Sequence, residues 1–276
     1  MTRLGRHLRL LTDQAQDLVD AGDLGEIHIG SQALLFVLGD LFGGQFVIEI
    51  GGNEAGVGKA VRNSGLPREE IFVTTKLWND AQGFDSTLRA ARESLRRLKL
   101  AYVDLYLVHW PAPRRGLYVE SWRALFRLRE EGFAKSIGVS NFAIEQLERL
   151  LGETGVVPAL NQIELHPRFQ QRELRAFHAR HNIATQSWAP LGRARLFDDP
   201  VLSGIAAKHR RTPAQILIRW HLDEGLIAIP KTVRRERLKE NFDVFGFALD
   251  AEDRAAIAAL DDADGRIGPD PMTAAF

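Results

Sequence analysis

Residues 71–77, IFVTTKL, and the segment that follows them at 86–100, STLRAARESLRRLKL, decide the fold. The first segment is short, apolar and rich in β-branched residues, which favours a buried β-strand. The second places Leu88, Ala91, Leu95 and Leu98 three or four positions apart, which is typical of an amphipathic helix. A strand followed by such a helix is the repeating unit of parallel α/β folds.

The same alternation continues along the chain. Strand-like segments lie at 103–110, 134–141, 159–165, 183–191 and 226–233. Each is followed by amphipathic sequence, at 118–132, 143–155, 170–182, 200–225 and 234–245. Six such units predict parallel strands joined by crossover helices. Because no low-complexity linker interrupts the series, we expect a single domain.

The polar and aromatic residues at the ends of these strands distinguish a barrel from an open sheet. They are Lys76, His109, Ser140, Asn141, Gln162, Trp188 and Lys231. A ring of such residues at one face is how a (β/α)8 barrel builds its site, and 276 residues suit that fold. No G-x-G-x-x-G follows any strand, which disfavours the dinucleotide-binding open sheet. We therefore predict an α/β protein with a (β/α)8 TIM barrel.

The composition argues against several kinds of partner. Lysine plus arginine and aspartate plus glutamate both number 36, so no bulk charge favours nucleic acid or an anionic membrane. The absence of cysteine excludes disulfides and thiol catalysis. Residues 1–20 lack a secretory pattern, and Asp40 interrupts the apolar stretch 33–50. We expect a cytoplasmic protein with a small-molecule partner, no nucleic acid and no membrane.

Six short motifs carry a family resemblance. They are VTTKLWN (73–79), DLYLVHWP (104–111), SIGVSNF (136–142), NQIELHP (161–167), SWAPLG (187–192) and IPKTVRRERLKEN (229–241). In order and spacing the chain resembles the aldo-keto reductases, most closely the bacterial branch that includes 2,5-diketo-gluconate reductases. The resemblance implies a barrel domain over 52–276, after an atypical N-terminal segment at 1–51. It also implies NADPH as cofactor, bound across the C-terminal face, and reduction of aldehydes or ketones.

The resemblance assigns the catalytic residues Lys76 and His109. Hydride transfer to a carbonyl leaves negative charge on its oxygen, which needs a proton donor and fixed partners. Taken without the motifs around them, the two residues favour a different interpretation, a strand-end lysine in water and a histidine satisfied in a polar rim; the motifs favour the catalytic one. Beside them, Trp78 and Trp110 are expected to line an apolar substrate pocket.

The resemblance also assigns part of the cofactor site. Ser140, Asn141 and Gln162 match the family residues that hold the nicotinamide carboxamide, and Trp188 matches the ring that stacks on nicotinamide. Ordinary core packing is the alternative for Trp188. Leu191 and Gly192 would lie along the pyrophosphate, where glycine allows close backbone approach. The family often has a second glycine where this chain has Ala194.

The stretch KTVRRERLKEN (231–241) predicts a phosphate site. A phosphate at a helix N-terminus after the last barrel strands is physically expected. Arg234 and Arg237 lie three residues apart and could reach one 2′-phosphate, which favours NADPH over NADH. The cofactor-binding residues expected here are Lys231, Thr232, Val233, Arg234, Arg237, Glu240 and Asn241. The last two match the family's adenine contacts. A solvated basic helix face is the alternative.

Two family residues have no match. The family pattern I-D-T-A-x-x-Y-G-N-E corresponds to FVIEIGGNEAGVG (46–58), which puts Gly51 at the tyrosine position and Phe46 or Glu49 at the aspartate position. The chain has three tyrosines, Tyr102, Tyr106 and Tyr118, and none is expected to replace the missing one.

Upstream, residues 8–22 read as a helix. Too little chain separates the apolar runs 33–38 and 46–50 for a crossover helix between them. We therefore expect the first two strands to be atypical or missing.

Three readings remain open from these observations. The first is a carbonyl reductase impaired by loss of the tyrosine and aspartate, in which water delivers the proton; losing a positioned acid costs on the order of 10² to 10⁴ in rate. The second is a non-catalytic NADPH-binding protein. The third is a chain whose barrel does not close, with an exposed strand edge.

Overall fold

The computed structural model describes residues 33–37, 46–50, 53–232 and 234–274. The predicted helix at 8–22, the family's tyrosine position at Gly51 and the predicted cofactor residue Val233 lie outside these residues. The described chain forms two compact units. The first contains the residues up to Val108 together with Glu120–Ile137, and the second contains His109–Val119 and the residues from Gly138 onward.

The predicted alternation of strands and helices is confirmed. The strands are β1 (Ala33–Val37), β2 (Phe46–Ile50), β3 (Ile71–Leu77), β4 (Val103–Val108), β5 (Ala134–Ser140), β6 (Leu160–Glu164), β7 (Ala184–Trp188) and β8 (Ile227–Ala228). The helices are α1 (Glu54–Asn63), α2 (Phe84–Leu98), α3 (Tyr118–Glu130), α4 (Ile144–Thr154), α5 (Arg172–Arg180), α6 (Pro200–His209), α7 (Pro213–Asp223), α8 (Arg235–Phe242) and α9 (Ala251–Ala258). This is an α/β fold with the strand–helix repeat of a (β/α)8 barrel, as predicted.

The first unit begins with an atypical strand pair. β1 and β2 are antiparallel, with Ala33 opposite Ile50, whereas β2 runs parallel to β3 and β3 runs parallel to β4. Two antiparallel strands can be joined by a short turn, but parallel ones need a crossover that residues 38–45 are too few to supply. The expectation of an atypical start to the sheet is therefore confirmed.

Helices α1 and α2 approach each other closely at a glycine. A Cβ atom on Gly58 would overlap the backbone carbonyl of Leu98, so only glycine fits there. The same carbonyl accepts a hydrogen bond from Nη1 of Arg62 at 2.6 Å. Arg97 of α2 also forms an ion pair with the largely buried Glu54 of α1. Together these contacts fasten α1 to α2.

A charged cluster lies at the N-terminal ends of the strands in this unit. Asp104, which is 3% exposed, accepts hydrogen bonds from Nη2 of Arg68 at 2.6 Å and from the backbone N–H of Val73 at 2.9 Å. Lys135 Nζ lies 3.7 Å from the same carboxylate. Both cations also pack over the ring of Tyr102, at 4.3 and 4.1 Å from its centre. One buried anion is thus neutralised by two cations.

In the second unit, β6 and β7 run parallel to their neighbours, and the last strand is shorter than predicted. β6 pairs with β7 from Leu160 opposite Ala184 onward, and Ser187 lies opposite Ala228 of β8. The backbone N–H of Ile229 still donates to the carbonyl of Ser187 at 3.2 Å, and Pro230 then ends the pairing because it has no N–H. Lys231 therefore lies beyond β8 and does not end it, which corrects the prediction.

No helix among the described residues is both long enough and apolar enough to cross a membrane.

Several helices in the second unit begin at a capping residue. Asp199 caps α6, Thr212 caps α7 and Asp250 caps α9, each by accepting a backbone N–H of the first turn. Pro200 and Pro213 stand at the first helical positions, where proline is favoured.

Candidate functional site

Lys76 is the next-to-last residue of β3 in the first unit. It is half-buried and lies opposite Leu107 in the pairing of β3 with β4. The prediction that a lysine stands at the end of this strand is therefore confirmed. Trp78 follows the strand and is 61% exposed. The predicted roles of both residues remain predictions.

In the second unit, Asn141 connects the residues that follow two strands. It comes directly after β5 and adopts a left-handed backbone conformation, with φ of 63°. Its Nδ2 donates to the carbonyl of His109 at 3.0 Å and to Oγ of Ser140 at 3.0 Å. Its Oδ1 accepts the indole N–H of Trp188 at 2.6 Å. The structure therefore brings four of the predicted site residues together.

Two glutamine side chains continue this polar surface. Gln162 Nε2 donates to Oε1 of Gln186 at 2.7 Å, and both residues are buried. The backbone carbonyl of Gln162 accepts from the hydroxyl of Ser140 at 2.9 Å and from the backbone N–H of Asn141 at 2.8 Å. Gln162 lies in the middle of β6 and not at its end. It is nevertheless level with the end of β5, since Ser140 pairs with Gln162.

Three residues near this surface were not predicted from the sequence. Gln186 orients the amide of Gln162, and Glu164 and Gly268 contact each other and the region around Trp188. Glu164 and Gln186 gave a detectable signal, because each is a polar residue in a segment predicted to be a buried strand. Gly268 gave none, since its contact depends on the course of the chain after α9.

A cleft of about 600 Å³ lies beside the same strand ends. It is lined by Ala189, Pro190, Leu191, Arg193, Ala194, Phe197, Ala214, Ile229, Pro230, Lys231, Thr232, Arg234, Arg237 and Asn241. Eight of these residues have apolar side chains, and four are basic; no acidic residue lines the cleft. It is therefore suited to a ligand with apolar rings and negative charge.

The backbone on one side of the cleft is unusually compact. Gly192, Arg193 and Ala194 all have left-handed conformations, with φ of 56°, 51° and 65°. Glycine adopts this conformation without strain, whereas an alanine does so at a cost. Ala194 thus stands at a position whose backbone suits the glycine that the family often has there. The turn therefore accommodates Ala194 in place of glycine.

The other side of the cleft carries the predicted phosphate-binding residues. Thr232 Oγ1 accepts the backbone N–H of Arg234 at 3.1 Å, and α8 begins at the next residue. Arg237 Nη1 donates to the carboxylate of Glu240 at 2.8 Å, and Thr212 donates to the same carboxylate at 2.6 Å. Glu240 therefore orients Arg237, while Asn241 lines the cleft.

The three tyrosines are occupied elsewhere. Tyr102 lies before the first residue of β4, in the charged cluster at the opposite end of that strand. Tyr106 is 2% exposed, and burial raises the pKa of its hydroxyl despite a hydrogen bond with Ser94. Burial also raises the pKa of Tyr118, whose ring packs edge-on against Phe142 at 5.4 Å. A high pKa and a buried hydroxyl both make a poor proton donor.

No cluster of three or more histidine, aspartate or glutamate side chains suited to a metal ion occurs in the part of the chain that the structure describes. The arrangement is thus one of hydrogen-bonding amides, the partly exposed Trp188 and a basic cleft. It is suited to holding an amide-bearing ring and a phosphorylated group.

Comparison with known proteins gives a consistent result. The sequence model of the Aldo/keto reductase family matches residues 46–262. The methylglyoxal reductase DkgA of Escherichia coli strain K12 is 53% identical over 221 residues, which cover 79% of this chain and 79% of that protein.

Two crystal structures resemble the fold. A mutant of Gox0644 in complex with NADPH is 51% identical, with a TM-score of 0.81 over 96% of this chain and 90% of that one. A structure provisionally named as a 2,5-diketo-D-gluconic acid reductase B is 37% identical, with a TM-score of 0.76 over 79% of this chain and 78% of that one.

Proposed function

Since this chain belongs to the aldo/keto reductase family, we propose that it reduces small aldehydes and ketones to alcohols with NADPH. The basic cleft next to the platform of Asn141 and Trp188 is the observation that carries the proposal. A protein related by 51% identity has been crystallised with NADPH, which supports the choice of cofactor.

The residues of the cleft fit this cofactor. A dinucleotide phosphate is an elongated anion with two ring systems, and the cleft combines apolar walls with Lys231, Arg234 and Arg237. Arginine binds phosphate through several N–H groups at once, which suits a 2′-phosphate. The turn beside the cleft requires glycine at position 192, because its backbone is left-handed and a Cβ atom there would lie 2.8 Å from the side chain of Leu196. The fit is therefore chemical as well as spatial.

Ser140, Asn141 and Gln162 are proposed to hold the nicotinamide carboxamide, with Trp188 beside the ring. Hydrogen bonds among Ser140, Asn141 and Trp188, and that of the Gln162 amide with Gln186, fix these side chains before any ligand arrives, which reduces the entropy lost on binding. Leu191 and Gly192 are proposed for the pyrophosphate, and Lys231, Thr232, Val233, Arg234 and Arg237 for the 2′-phosphate. Glu240 and Asn241 are proposed for the adenine.

When bound, NADPH supplies the hydride that reduces the carbonyl carbon. Lys76 and His109 are proposed to face the carbonyl oxygen, where a cation and a hydrogen-bond donor would stabilise the developing negative charge. The described tyrosines are buried or lie at the opposite strand end, so we propose that water delivers the proton. Such an enzyme would be slower than one with a positioned acid, by on the order of 10² to 10⁴.

The substrate class follows from the relatives and from two aromatic residues. DkgA is named as a methylglyoxal reductase, and at 53% identity its substrate is the natural first choice. We propose a small 2-oxoaldehyde, whose adjacent carbonyl groups make the reacting carbon more electrophilic. Trp78 and Trp110 are proposed as the walls that surround it.

The test is one titration followed by one addition. NADPH is added to the purified protein while cofactor fluorescence is recorded, and methylglyoxal is then added while absorbance of NADPH is followed. Binding followed by oxidation is expected. Binding without oxidation would instead support a non-catalytic NADPH-binding protein, the second function that the buried tyrosines favour. Absence of binding would contradict both.

Variants then test the assigned roles. Lys76→Met and His109→Leu should lower the rate of oxidation by roughly tenfold or more while NADPH affinity stays within about twofold. Lys59→Met is the matched control, because Lys59 is exposed on α1. An unchanged rate in the first two variants would remove them from the mechanism.

A further inference from the structure

The indole ring of Trp188 is fixed at two places. At one edge its N–H donates to Asn141 Oδ1 at 2.6 Å. At the six-membered ring, on the same side of the indole as the N–H, it meets Gly268, because a Cβ atom at position 268 would lie 2.5 Å from Cη2 and 3.2 Å from Cζ2 of the ring. Separations below 3.0 Å are not found for real Cβ atoms, so this glycine is required by the position of the ring.

Glu164 holds Gly268 in that place. The Oε2 atom of Glu164 accepts the backbone N–H of Gly268 at 2.8 Å, and Oε1 accepts the backbone N–H of Ile267. Oε1 also faces Nε2 of the buried His166 at 3.2 Å. The carboxylate thus bridges the last residue of β6 and the segment after α9.

The carboxylate of Glu164 is charged although it is 2% exposed. Burial raises its pKa, but the hydrogen bonds from His166 and from the two backbone N–H groups outweigh burial, so that the pKa is lowered overall. A buried charge with several donors resists movement, because any displacement would leave it unpaired in the protein interior. Glu164 is thus a rigid support.

We propose that Glu164 and Gly268 are positioning residues that set the tilt of the Trp188 ring and thereby the affinity for the cofactor. The inference rests on the proposed role of Trp188 beside the nicotinamide. The hydrogen bond to Asn141 lies at the ring edge, so it does not occupy a face that could stack. Arg193 lies over the ring at 5.9 Å from its centre.

The packing against Gly268 also has a plainer explanation, in which Glu164 merely anchors the segment after α9. The two explanations differ in one respect. If the tilt of Trp188 is what matters, the effect of a substitution at Gly268 must depend on the presence of the indole. If anchoring alone matters, the effect is the same with a smaller ring.

The experiment is a double-mutant cycle with Gly268→Ala and Trp188→Phe. Phenylalanine lacks the part of the ring that Gly268 touches, so the added methyl group has room in the double variant. Gly268→Ala should weaken NADPH binding by roughly threefold to tenfold when Trp188 is present, the size of an aromatic stacking contact. In the Trp188→Phe protein the same change should be less than about twofold.

A second readout needs no cofactor. The near-ultraviolet circular dichroism that disappears in Trp188→Phe reports the fixed environment of this ring, and Gly268→Ala should alter that contribution in the cofactor-free protein. Gly246→Ala is the matched control, since its Cβ would meet only ordinary contact with Arg211 at 3.6 Å. It should leave both readouts unchanged.

The outcomes separate the two proposals. Equal losses of affinity in both backgrounds, or an unchanged ring signal in Gly268→Ala, would overturn the positioning role. If the unmodified protein does not bind NADPH at all, the proposed function fails, and the ring signal alone still decides the positioning role. Should Gly268→Ala not fold, Glu164→Gln enters the same cycle, because its amide N–H₂ would face a backbone N–H.

Discussion

The indole N–H of Trp188, at the end of β7, donates to the side-chain oxygen of Asn141, the residue after β5, over 2.6 Å. The same asparagine donates to the carbonyl of His109. One short side chain therefore ties together the proposed nicotinamide-facing ring and the backbone that carries a proposed catalytic residue. Changes at Asn141 should be felt both by the cofactor and by the reacting carbonyl.

Asn141→Ala should weaken NADPH binding and lower stability. It removes three hydrogen bonds, each worth about 0.5–1.5 kcal/mol, and places alanine at φ of 63°. Asn141→Gly is the matched variant, since it removes the same bonds without backbone strain. Affinity should fall equally in both, roughly tenfold, while chemical denaturation should show Asn141→Ala to be less stable by about 0.5 kcal/mol, because the freedom of glycine in the unfolded chain offsets part of the strain. Equal stabilities would show that the left-handed conformation imposes no strain.

Arg234→Ala and Arg237→Ala should each weaken NADPH binding by roughly tenfold and leave NADH binding within about twofold. The reason is that both side chains line the cleft and are proposed to meet the 2′-phosphate, which NADH lacks. Fluorescence titration with both cofactors at two salt concentrations measures the effect, and the preference for NADPH should fall at higher salt. Arg254→Ala, on the exposed face of α9, is the control. Equal losses for NADH and NADPH would contradict the assignment.

Ala194→Gly should stabilise the protein by about 0.5 kcal/mol. Relief of a left-handed alanine is worth about 1 kcal/mol, and the greater freedom of glycine in the unfolded chain offsets part of it. The same substitution at Ala255, inside α9, should destabilise by about 1 kcal/mol. Opposite signs in the two free energies of unfolding are therefore expected, and a loss of stability at both positions would be incompatible with the strain argument.

Stability should fall as pH decreases from 6.5 to about 4, because of buried His178. Asn161 Nδ2 donates to its Nε2 at 3.1 Å, so the ring must be neutral in the folded protein, and burial lowers its pKa to about 4. The unfolded chain takes up the proton within this window and the folded protein does not. The stabilisation is fully present above pH 6.5 and declines toward pH 4 by up to about 3 kcal/mol.

The measurement is the free energy of unfolding in denaturant at several pH values. His178→Gln keeps one acceptor and one donor but does not titrate, so the variant should lose part of the pH dependence. His221, whose pKa burial also lowers to about 4, should supply the remainder. An unchanged slope in His178→Gln would exclude His178 as a source.

The order of strands and helices was predictable because each strand is a short β-branched run and each helix carries apolar residues at helical spacing. The same pattern located Lys76, His109 and Asn141 within one residue of the observed strand ends. β8 was predicted too long, since the apolar run LIAIP conceals that Pro230 cannot continue the pairing.

The residues that hold the site residues in place were harder to predict from the sequence. Gln162 was recognised from its motif, but its partner Gln186 lies in another strand, and only the register of β6 against β7 brings the two amides together. The contact of Gly268 with Trp188 joins residues far apart in the chain, and no local pattern encodes it. Local periodicity therefore specified the elements, whereas tertiary packing specified how the site residues are held.

The charged cluster around Asp104 has a consequence for how such a protein could be altered. Its anion, its two cations and the ring of Tyr102 all lie where the strands begin, while the proposed chemistry lies where they end. In this fold, residues at the N-terminal ends of the strands commonly contribute to stability, and residues at the C-terminal ends commonly contribute to catalysis. A designer could therefore reinforce this cluster to raise heat tolerance and separately reshape the opposite loops for a new substrate, with little interference between the two efforts.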